Sequence, residues 1–245
     1  MKSVILAAGV SARLRPLTDN KPKCLLKIGG KTILERTLDN LLAYNLDDLI
    51  IVTGYLEEQI KSFVKRYYPK LNVTYIFNEQ YDTTNNIYSL WMTKDLVMNN
   101  EMLLLDSDIL FDKKILGLLL NSEYSNCVAL RSDHRLTDEE IKVRLNSDKS
   151  ISEISKTVNL KQAIGESIGI EKFDAEFINK LFEILDKKIL VENKVKIFYE
   201  AGFQEAINEG NKIYAVDIGS LKCIELDFVE DIEKASREVI QYLDK

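Results

Sequence analysis

Hydrophobic positions in the first half of the chain follow two alternating patterns. Short, largely apolar runs predict buried strands at Val4–Ala7, Asp48–Thr53, Val73–Phe77 and Met102–Leu105. Between them, apolar residues recur every three or four positions, which predicts helices at Thr32–Tyr44, Leu56–Lys65, Asn86–Leu96 and Lys113–Leu120. Apolar strands that alternate with helices indicate βαβ units, whose sheet is mostly parallel and covered on both faces.

The second half is less regular and predicts a small, partly antiparallel lobe. Strands are predicted at Cys127–Leu130, Lys142–Leu145, Ser150–Ile154, Ala163–Ile170, Lys212–Val216 and Cys223–Leu226. Helices are predicted at Asp174–Leu185, Tyr199–Asn208 and Val229–Leu243. The expected fold class is α/β, with a Rossmann-like three-layer arrangement around a mixed, mostly parallel sheet. The 245 residues include only three prolines and no Gly/Ser-rich linker, so we expect a single domain, divided approximately into 1–125, 126–222 and 223–245.

The charge of the chain limits the ligands it can attract. A net charge of −6 gives no general attraction to nucleic acid or to anionic membranes. A polyanionic ligand must therefore be held by a local cluster of lysines and arginines. No run approaches the roughly 18–20 apolar residues that a membrane span needs. The three cysteines are far apart and form no CxxC pair, which predicts free thiols and a cytoplasmic location rather than a zinc site or a disulfide framework.

Such a cluster of cations follows the first predicted strand. Gly9 would let backbone N–H groups approach an anion, and Ser11 adds a hydroxyl. Arg13 offers a bidentate fork and Lys23 a point charge, with Arg15 and Lys21 as weaker candidates. The Walker A and GxGxxG patterns are both absent. Composition alone leaves two interpretations open, a triphosphate cradle and a solvated basic loop.

Two acids close the predicted strand Met102–Leu105. Alternate residues of an extended chain point the same way, so Asp106 and Asp108 are candidates to face one ligand. Mg²⁺ prefers oxygen ligands and is often bound by carboxylates together with the phosphates of a substrate. The alternative is a turn after the strand, where Asp and Ser are common.

The first loop carries a specific resemblance. Leu6-Ala-Ala-Gly-x-x-x-Arg-Leu-x-Pro-Leu-Thr-x-x-x-Pro-Lys23 resembles the signature loop of the nucleotidyltransferase family that makes sugar nucleotides and CDP-alcohols. The resemblance implies a nucleotide-diphospho-sugar transferase type of fold, with a nucleotide-binding half, an acceptor lobe and a closing metal motif. It implies that Arg13 and Lys23 bind the reacting phosphates and that Ala7, Ala8, Gly9 and Ser11 contact the nucleotide. The family usually has Gly where this chain has Ser11.

A second motif lies near the end of the chain. Cys223-Ile-Glu-Leu-Asp-Phe-Val-Glu-Asp-Ile-Glu-Lys-Ala235 resembles the closing motif of the same family. By that resemblance Asp108 and Asp227 would bind Mg²⁺, with Asp106 and Glu225 as outer candidates. Asp227 is also a candidate cap for the last helix, whereas Asp231 is expected to be structural.

Nucleotide recognition is assigned to three asparagines. Asn78, Asn85 and Asn86 follow a strand and precede a helix, where amides cap helices or read the edge of a base. Both interpretations stay open on the residues alone. The sequence Asn85-Asn-x-Tyr-Ser-Leu90 resembles the variant found in CTP:phosphocholine cytidylyltransferases and related enzymes, which implies CTP as the nucleotide.

The acceptor pocket is assigned to the second half. Glu166 is polar within an apolar run, so it is expected to face a ligand or a partner cation. Tyr199 and Glu200 would bind an ammonium group by cation–π and charge contacts, or pack into the core. Trp91 is expected in the core, and His134 in a surface loop.

The predicted reaction is Mg²⁺-dependent transfer of CMP from CTP to a small phosphorylated acceptor, with release of pyrophosphate. Phosphocholine, phosphoethanolamine and aminoethylphosphonate are the acceptor types considered. The alternatives are a sugar-1-phosphate nucleotidyltransferase that uses UTP, dTTP or GTP, a glycosyltransferase with a DxD metal site, and a non-catalytic nucleotide-binding subunit. An oligomer is possible, and no nucleic-acid partner is expected.

Overall fold

The computed structural model describes residues 1–243, so the last two residues of the predicted segment 223–245 lie outside the described residues. The strands are β1 (Lys2–Ala7), β2 (Lys27–Ile28), β3 (Lys31–Thr32), β4 (Asp48–Thr53), β5 (Asn72–Phe77), β6 (Met102–Asp106), β7 (Ile109–Phe111), β8 (Cys127–Arg131), β9 (Lys142–Leu145), β10 (Ile151–Ser155), β11 (Gly165–Phe173), β12 (Tyr214–Asp217) and β13 (Cys223–Glu225).

The helices alternate with these strands. They are α1 (Ile33–Leu42), α2 (Glu57–Tyr67), α3 (Asn86–Trp91), α4 (Lys94–Val97), α5 (Lys114–Leu120), α6 (Ala175–Asp186), α7 (Glu200–Asn208), α8 (Val229–Lys234) and α9 (Ile240–Leu243). Short 3₁₀ turns lie at Ala12–Leu14 and Lys23–Leu25, and π-helical turns at Lys187–Val191 and Ala235–Val239. No helix in residues 1–243 has the length and apolar character that a membrane crossing needs.

The central sheet has the order β10-β9-β11-β6-β1-β4-β5, with β8 and β12 attached through β11. Strands β6, β1, β4 and β5 are parallel. Strand β11 runs antiparallel to β6, so its first residues lie at the carboxyl edge of the parallel strands. This arrangement confirms the predicted α/β class with a mostly parallel sheet.

Alternate residues of the central strands enter different hydrophobic layers. In β1, Val4 and Leu6 pack with α3, α6 and α7, whereas Ile5 packs with α1, α2 and α5 on the other face. This follows from the two-residue period of a strand, since successive side chains point to opposite faces. The predicted three-layer arrangement is therefore present.

In a third hydrophobic cluster, residues of the C-terminal segment pack against the first loop. Leu14 and Ile28 from the beginning of the chain pack with Leu110 of β7, Ile224 of β13 and Val239 near the C-terminus. Strands β7 and β13 form an antiparallel ribbon in which Ile109 pairs with Glu225. This ribbon lies beside the carboxyl end of β6 and brings the C-terminal motif to it.

Several predicted bounds were wrong, for local reasons. The predicted helix Asn86–Leu96 is divided into α3 and α4, because the N–H and hydroxyl of buried Thr93 both donate to the Leu90 carbonyl in a tight turn. The predicted strand Ala163–Ile170 is shifted to Gly165–Phe173, where it continues along β6 and β8. Strand β7 and the β2–β3 hairpin were not predicted, because strands of two or three residues are too short to show an alternation of apolar and polar residues.

Candidate active site

A cavity of about 420 Å³ opens at the carboxyl edge of the sheet. Almost all of the predicted site residues line it. These are Ala7, Ala8, Gly9, Ser11, Arg13, Lys23, Asn78, Asn85, Asn86, Asp108, Glu166, Glu200 and Asp227. Tyr199 is the predicted site residue that the cavity lining lacks. The sheet topology therefore brings together segments from both ends of the chain, at the edge where open α/β sheets bind ligands.

A glycine allows two of these segments to approach each other. In β11, Gly169 has a φ of +70°, and a Cβ there would lie 2.7 Å from Oδ2 of Asp106. A larger residue would therefore be strained and would displace the Asp106 carboxylate. The close approach puts the first half of β11 on the wall of the cavity.

The first loop leaves open space beside Gly9. A Cβ at Gly9 would have no atom of the described residues within 4 Å, and the φ of Gly9 is not in the left-handed region. Neither packing nor backbone conformation requires glycine there, so the free space is suited to a ligand that approaches the backbone. Ser11 does hold a left-handed φ of 54°, a conformation that favours glycine. This accounts for the glycine that the resembling family usually has at that position.

Two glycine-to-alanine substitutions test whether a glycine is needed for ligand binding or for packing. Gly9→Ala is expected to leave thermal unfolding nearly unchanged and to weaken nucleotide binding at least about tenfold, since its methyl group points into the open cradle. Gly54→Ala is the matched contrast, because its Cβ would lie 2.6 Å from the Ala8 carbonyl oxygen and 2.6 Å from Cβ of Tyr81. We expect that variant to lose about 1–3 kcal/mol of unfolding free energy. Thermal denaturation and nucleotide titration of both proteins check the pair, and a destabilised Gly9→Ala protein would contradict this assignment.

The carboxylates of two distant motifs meet at one point. The N–H of Leu226 donates to the Asp108 carbonyl at 3.1 Å, which sets Asp227 beside Asp108. Asp108, Glu225 and Asp227 each offer a carboxylate oxygen, and these atoms lie within 4.8 Å of one another. Oδ1 of Asp108 is buried and has no hydrogen-bond partner within residues 1–243. Glu225 therefore joins the predicted pair, whereas Asp106 accepts a hydrogen bond elsewhere.

This group of oxygens fits a magnesium ion. Mg²⁺ takes six oxygen ligands at about 2.0–2.1 Å, so opposite ligands are about 4.2 Å apart, and several ligands are usually waters. Neighbouring ligands are about 2.9 Å apart, so the three carboxylates would have to move closer together to share one ion. Glu225 is exposed by surface area, but partial loss of solvation among the surrounding protein atoms and the charges of Asp108 and Asp227 raise the pKa of its carboxyl to about 8. This crowding of negative charge would be relieved by a cation.

Lys23 and Arg13 neutralise these carboxylates. Nζ of Lys23 lies 2.9 Å from Oδ2 of Asp108 and 2.9 Å from Oδ1 of Asp227. Nη2 of Arg13 lies 2.6 Å from Oδ2 of Asp227, and its guanidinium lies 4.9 Å from the Phe228 ring centroid. Burial disfavours the Lys23 ammonium, but the two aspartates outweigh it and raise the pKa of Lys23. Burial would likewise raise the pKa of Asp227, but Lys23 and Arg13 hold it below its usual value.

The start of α8 is capped by a different acid from the one considered. The side chain of Asp231 accepts the N–H groups of Asp227 at 3.0 Å and Phe228 at 2.7 Å. The interpretation of Asp227 as the helix cap was therefore wrong, and the structural role expected of Asp231 is present. Because Asp231 supplies the cap, the Asp227 carboxylate is left for the cations of the cavity.

The three asparagines organise the loop before α3. Asn78 is 1% exposed and donates to Oγ of Ser89 and Oγ1 of Thr84, both at 3.2 Å. Asn85 caps α3 by accepting the N–H of Asn86 at 2.7 Å. Oδ1 of Asn86 accepts the N–H of Tyr199 at 3.0 Å, which joins α3 to the start of α7. Capping is thus present, and base recognition by these amides stays a prediction.

Tyr199 lies behind the cavity wall. Its side chain is fully buried, and its ring centroid is 5.2 Å from that of Phe203. Its hydroxyl lies 3.1 Å from Oδ2 of Asp106 and 3.4 Å from Oε1 of Glu171. The structure therefore has the core-packing arrangement, not a Tyr199 ring facing the acceptor. The neighbouring Phe198 lines the cavity in its place.

Glu166 lines the cavity and pairs with a cation, which is one of its two expected roles, and a contact with a ligand stays a prediction. Its Oε2 lies 2.6 Å from Nη2 of Arg131 and 3.3 Å from Nε2 of His134. His134 is thus packed against a site residue, with a side chain only 22% exposed. Burial and the nearby Arg131 lower the pKa of His134. No sequence pattern pointed to this contact.

Comparison with known proteins finds similarity over the whole chain. The family model described as Nucleotidyl transferase matches residues 2–139. A CTP:phosphoglutamine cytidylyltransferase from Campylobacter jejuni is 28% identical, covering 95% of this chain and 98% of the relative. A choline-phosphate cytidylyltransferase from Haemophilus influenzae is 31% identical, covering 94% of each chain. A solved structure of CTP:phosphocholine cytidylyltransferase from Streptococcus pneumoniae has a TM-score of 0.77 and 26% identity, covering 96% of this chain and 97% of that one.

Proposed function

The chain belongs to the nucleotidyl transferase family, and we propose that it is a cytidylyltransferase that moves CMP from CTP to a small phosphorylated acceptor and releases pyrophosphate. One observation carries the proposal. Lys23 and Arg13 lie against Asp108 and Asp227 on a single cavity, so the cations for a triphosphate and the carboxylates for a metal are already assembled. The CTP-dependent relatives support CTP as the nucleotide.

The chemistry proposed needs no general base. A phosphate monoester has its second pKa near ~6, so the attacking oxygen is already ionised at pH 7. The oxygen attacks the α-phosphorus of CTP in line. The bond between the α-phosphorus and the oxygen that bridges to the β-phosphate breaks, and pyrophosphate leaves with the electron pair. Lys23 stabilises charge on the reacting phosphates, and Arg13 stabilises it on the departing pyrophosphate. Holding the two phosphates at the correct distance and angle supplies much of the remaining rate enhancement.

The cofactor proposed is Mg²⁺. Asp108, Asp227 and Glu225 would hold it through their carboxylate oxygens. When bound, the ion supplies positive charge that polarises phosphate oxygens and screens their repulsion of the nucleophile. A DxD glycosyltransferase is disfavoured, since its nucleotide-sugar donor has no γ-phosphate for Arg13 and Lys23 to hold.

A pyrophosphate assay tests the function. Each NTP is incubated with Mg²⁺ and phosphocholine, phosphoethanolamine, aminoethylphosphonate or a hexose 1-phosphate. The proposal predicts pyrophosphate release that needs Mg²⁺, CTP and a phosphorylated amine together. Release with UTP or dTTP and a hexose 1-phosphate, but not with CTP, would overturn the CTP assignment. No release with any pair would contradict nucleotidyl transfer.

A further inference from the structure

One buried carboxylate that lines the cavity has an oxygen free to accept a hydrogen bond from a ligand. Glu200, the first residue of α7, is 5% exposed and lines the cavity, and its Oε2 has no hydrogen-bond partner among the described residues. Burial raises the pKa of Glu200 to about 7, and a backbone N–H and the charge of Lys156 offset this only in part. A carboxylate that is removed from water is stable in the charged form only when a donor or a cation reaches it. The space in front of Glu200 is therefore suited to a ligand that brings hydrogen-bond donors.

Its neighbours are already engaged. Glu166 is held by Arg131 at 2.6 Å, and the Asp106 carboxylate accepts from Tyr199 at 3.1 Å. Glu140 accepts the N–H and the hydroxyl of Thr137, both at 2.7 Å. Among the described acids that line the cavity, Asp108 and Glu200 are the ones with a buried oxygen that has no hydrogen-bond partner. Asp108 belongs to the carboxylate group with Glu225 and Asp227, so Glu200 is the one outside that group.

The aromatic residues of the cavity lining are few, and one of them already contacts a lysine. Phe198 and Tyr81 are the aromatic residues of the described cavity lining, and Nζ of Lys156 lies 4.9 Å from the Phe198 ring centroid. A quaternary ammonium is bound best by several free aromatic faces. Here one face already carries a lysine, and Tyr199 is buried behind the wall. The lining does not form an aromatic cage.

We propose, as an extension of the proposed function, that the acceptor is a phosphorylated or phosphonylated primary amine, whose ammonium group donates to Glu200. A primary ammonium has three N–H donors and a full charge, so it satisfies the free Oε2 and compensates for its burial. A trimethylammonium has the charge but no N–H. Glu200 is then a specificity-determining residue that favours primary over quaternary amines.

Acceptors with increasing numbers of N-methyl groups test this in the wild-type enzyme. Pyrophosphate release from CTP is measured with phosphoethanolamine and its mono-, di- and trimethyl forms. We expect kcat/KM to fall along the series, with a total loss of at least about 100-fold and the steepest step where the last N–H disappears. Equal or better turnover of the trimethyl form, or of a hexose 1-phosphate, overturns the amine assignment while nucleotidyl transfer stands. Absence of release with every acceptor overturns both.

The variant Glu200→Gln separates recognition from structure. We expect kcat/KM for phosphoethanolamine to fall about 100-fold, mainly through KM. Ethylene glycol phosphate has a hydroxyl in place of the ammonium group, and its kcat/KM is expected to change less than about threefold. Glu101→Gln is the control, since this acid is exposed and is not among the residues that line the cavity, and we expect it to change neither value. An equal loss for both acceptors in Glu200→Gln, or no loss for either, overturns the role of Glu200.

Discussion

Replacing Asp227 with asparagine is expected to lower kcat by about 10³-fold or more while the protein stays folded. Asp227 accepts from Lys23 and Arg13 and belongs to the carboxylate group with Asp108 and Glu225. Asparagine keeps the shape and one acceptor oxygen but removes the charge that holds the proposed Mg²⁺ and aligns both cations. Loss of preorganised charge at a reacting centre commonly costs roughly 10²–10³-fold for one group, and here it affects several.

Steady-state kinetics at saturating CTP and Mg²⁺, with circular dichroism to check folding, measure this effect. Glu230→Gln is a matched control, because it removes one negative charge from the same helix start at an exposed position. We expect the control to stay within about twofold of the wild type. A near-normal, Mg²⁺-dependent rate in Asp227→Asn would refute the metal site.

Replacing Lys23 with methionine is the second large effect, and it moves two measurements in opposite directions. We expect kcat to fall about 10³-fold, since this ammonium is the buried cation that we propose to stabilise the reacting phosphates. Binding of Mg²⁺ to the free protein is expected to tighten, because Nζ no longer competes for the oxygens of Asp108 and Asp227. A gain of roughly tenfold is of the size that a single competing contact produces.

Titration calorimetry with Mg²⁺ alone follows the second effect. Lys21→Met is the control, since Lys21 lies in the same loop but is exposed. We expect this control to change neither turnover nor metal affinity by more than about threefold. Weaker Mg²⁺ binding in Lys23→Met would mean that the lysine supports the carboxylate group rather than competing for it.

The first loop could be predicted from sequence because its chemistry is contiguous. Gly9, Arg13 and Lys23 follow a strand that is apolar throughout, and the carboxyl edge of a parallel sheet is where ligands bind. The structure places all three on the cavity. The ion pairs of Lys23 with Asp108 and Asp227 were not predicted. The lysine had been assigned to the phosphates and the two aspartates to the metal, so no contact between them was expected.

The meeting of Asp108 with Asp227 came from the family resemblance alone. It depends on the register between β7 and β13, which are three residues each and too short for a period to show. The two interpretations of Tyr199 stayed open in the sequence for a related reason. Whether Phe198 or Tyr199 faces the cavity depends on the turn before the helix, and the hydrogen bond from Tyr199 N–H to Asn86 fixes that turn across a long sequence separation.

The most direct test of CMP transfer follows two labels in CTP. With ³²P at the α-position, transfer of CMP predicts that the label appears in a product joined to the acceptor phosphate. With ³²P at the γ-position, the same reaction predicts label in pyrophosphate, in equal molar amount. Label at the α-position that stays in free CMP or CDP, with γ-label in orthophosphate, would contradict nucleotidyl transfer as the activity of this protein.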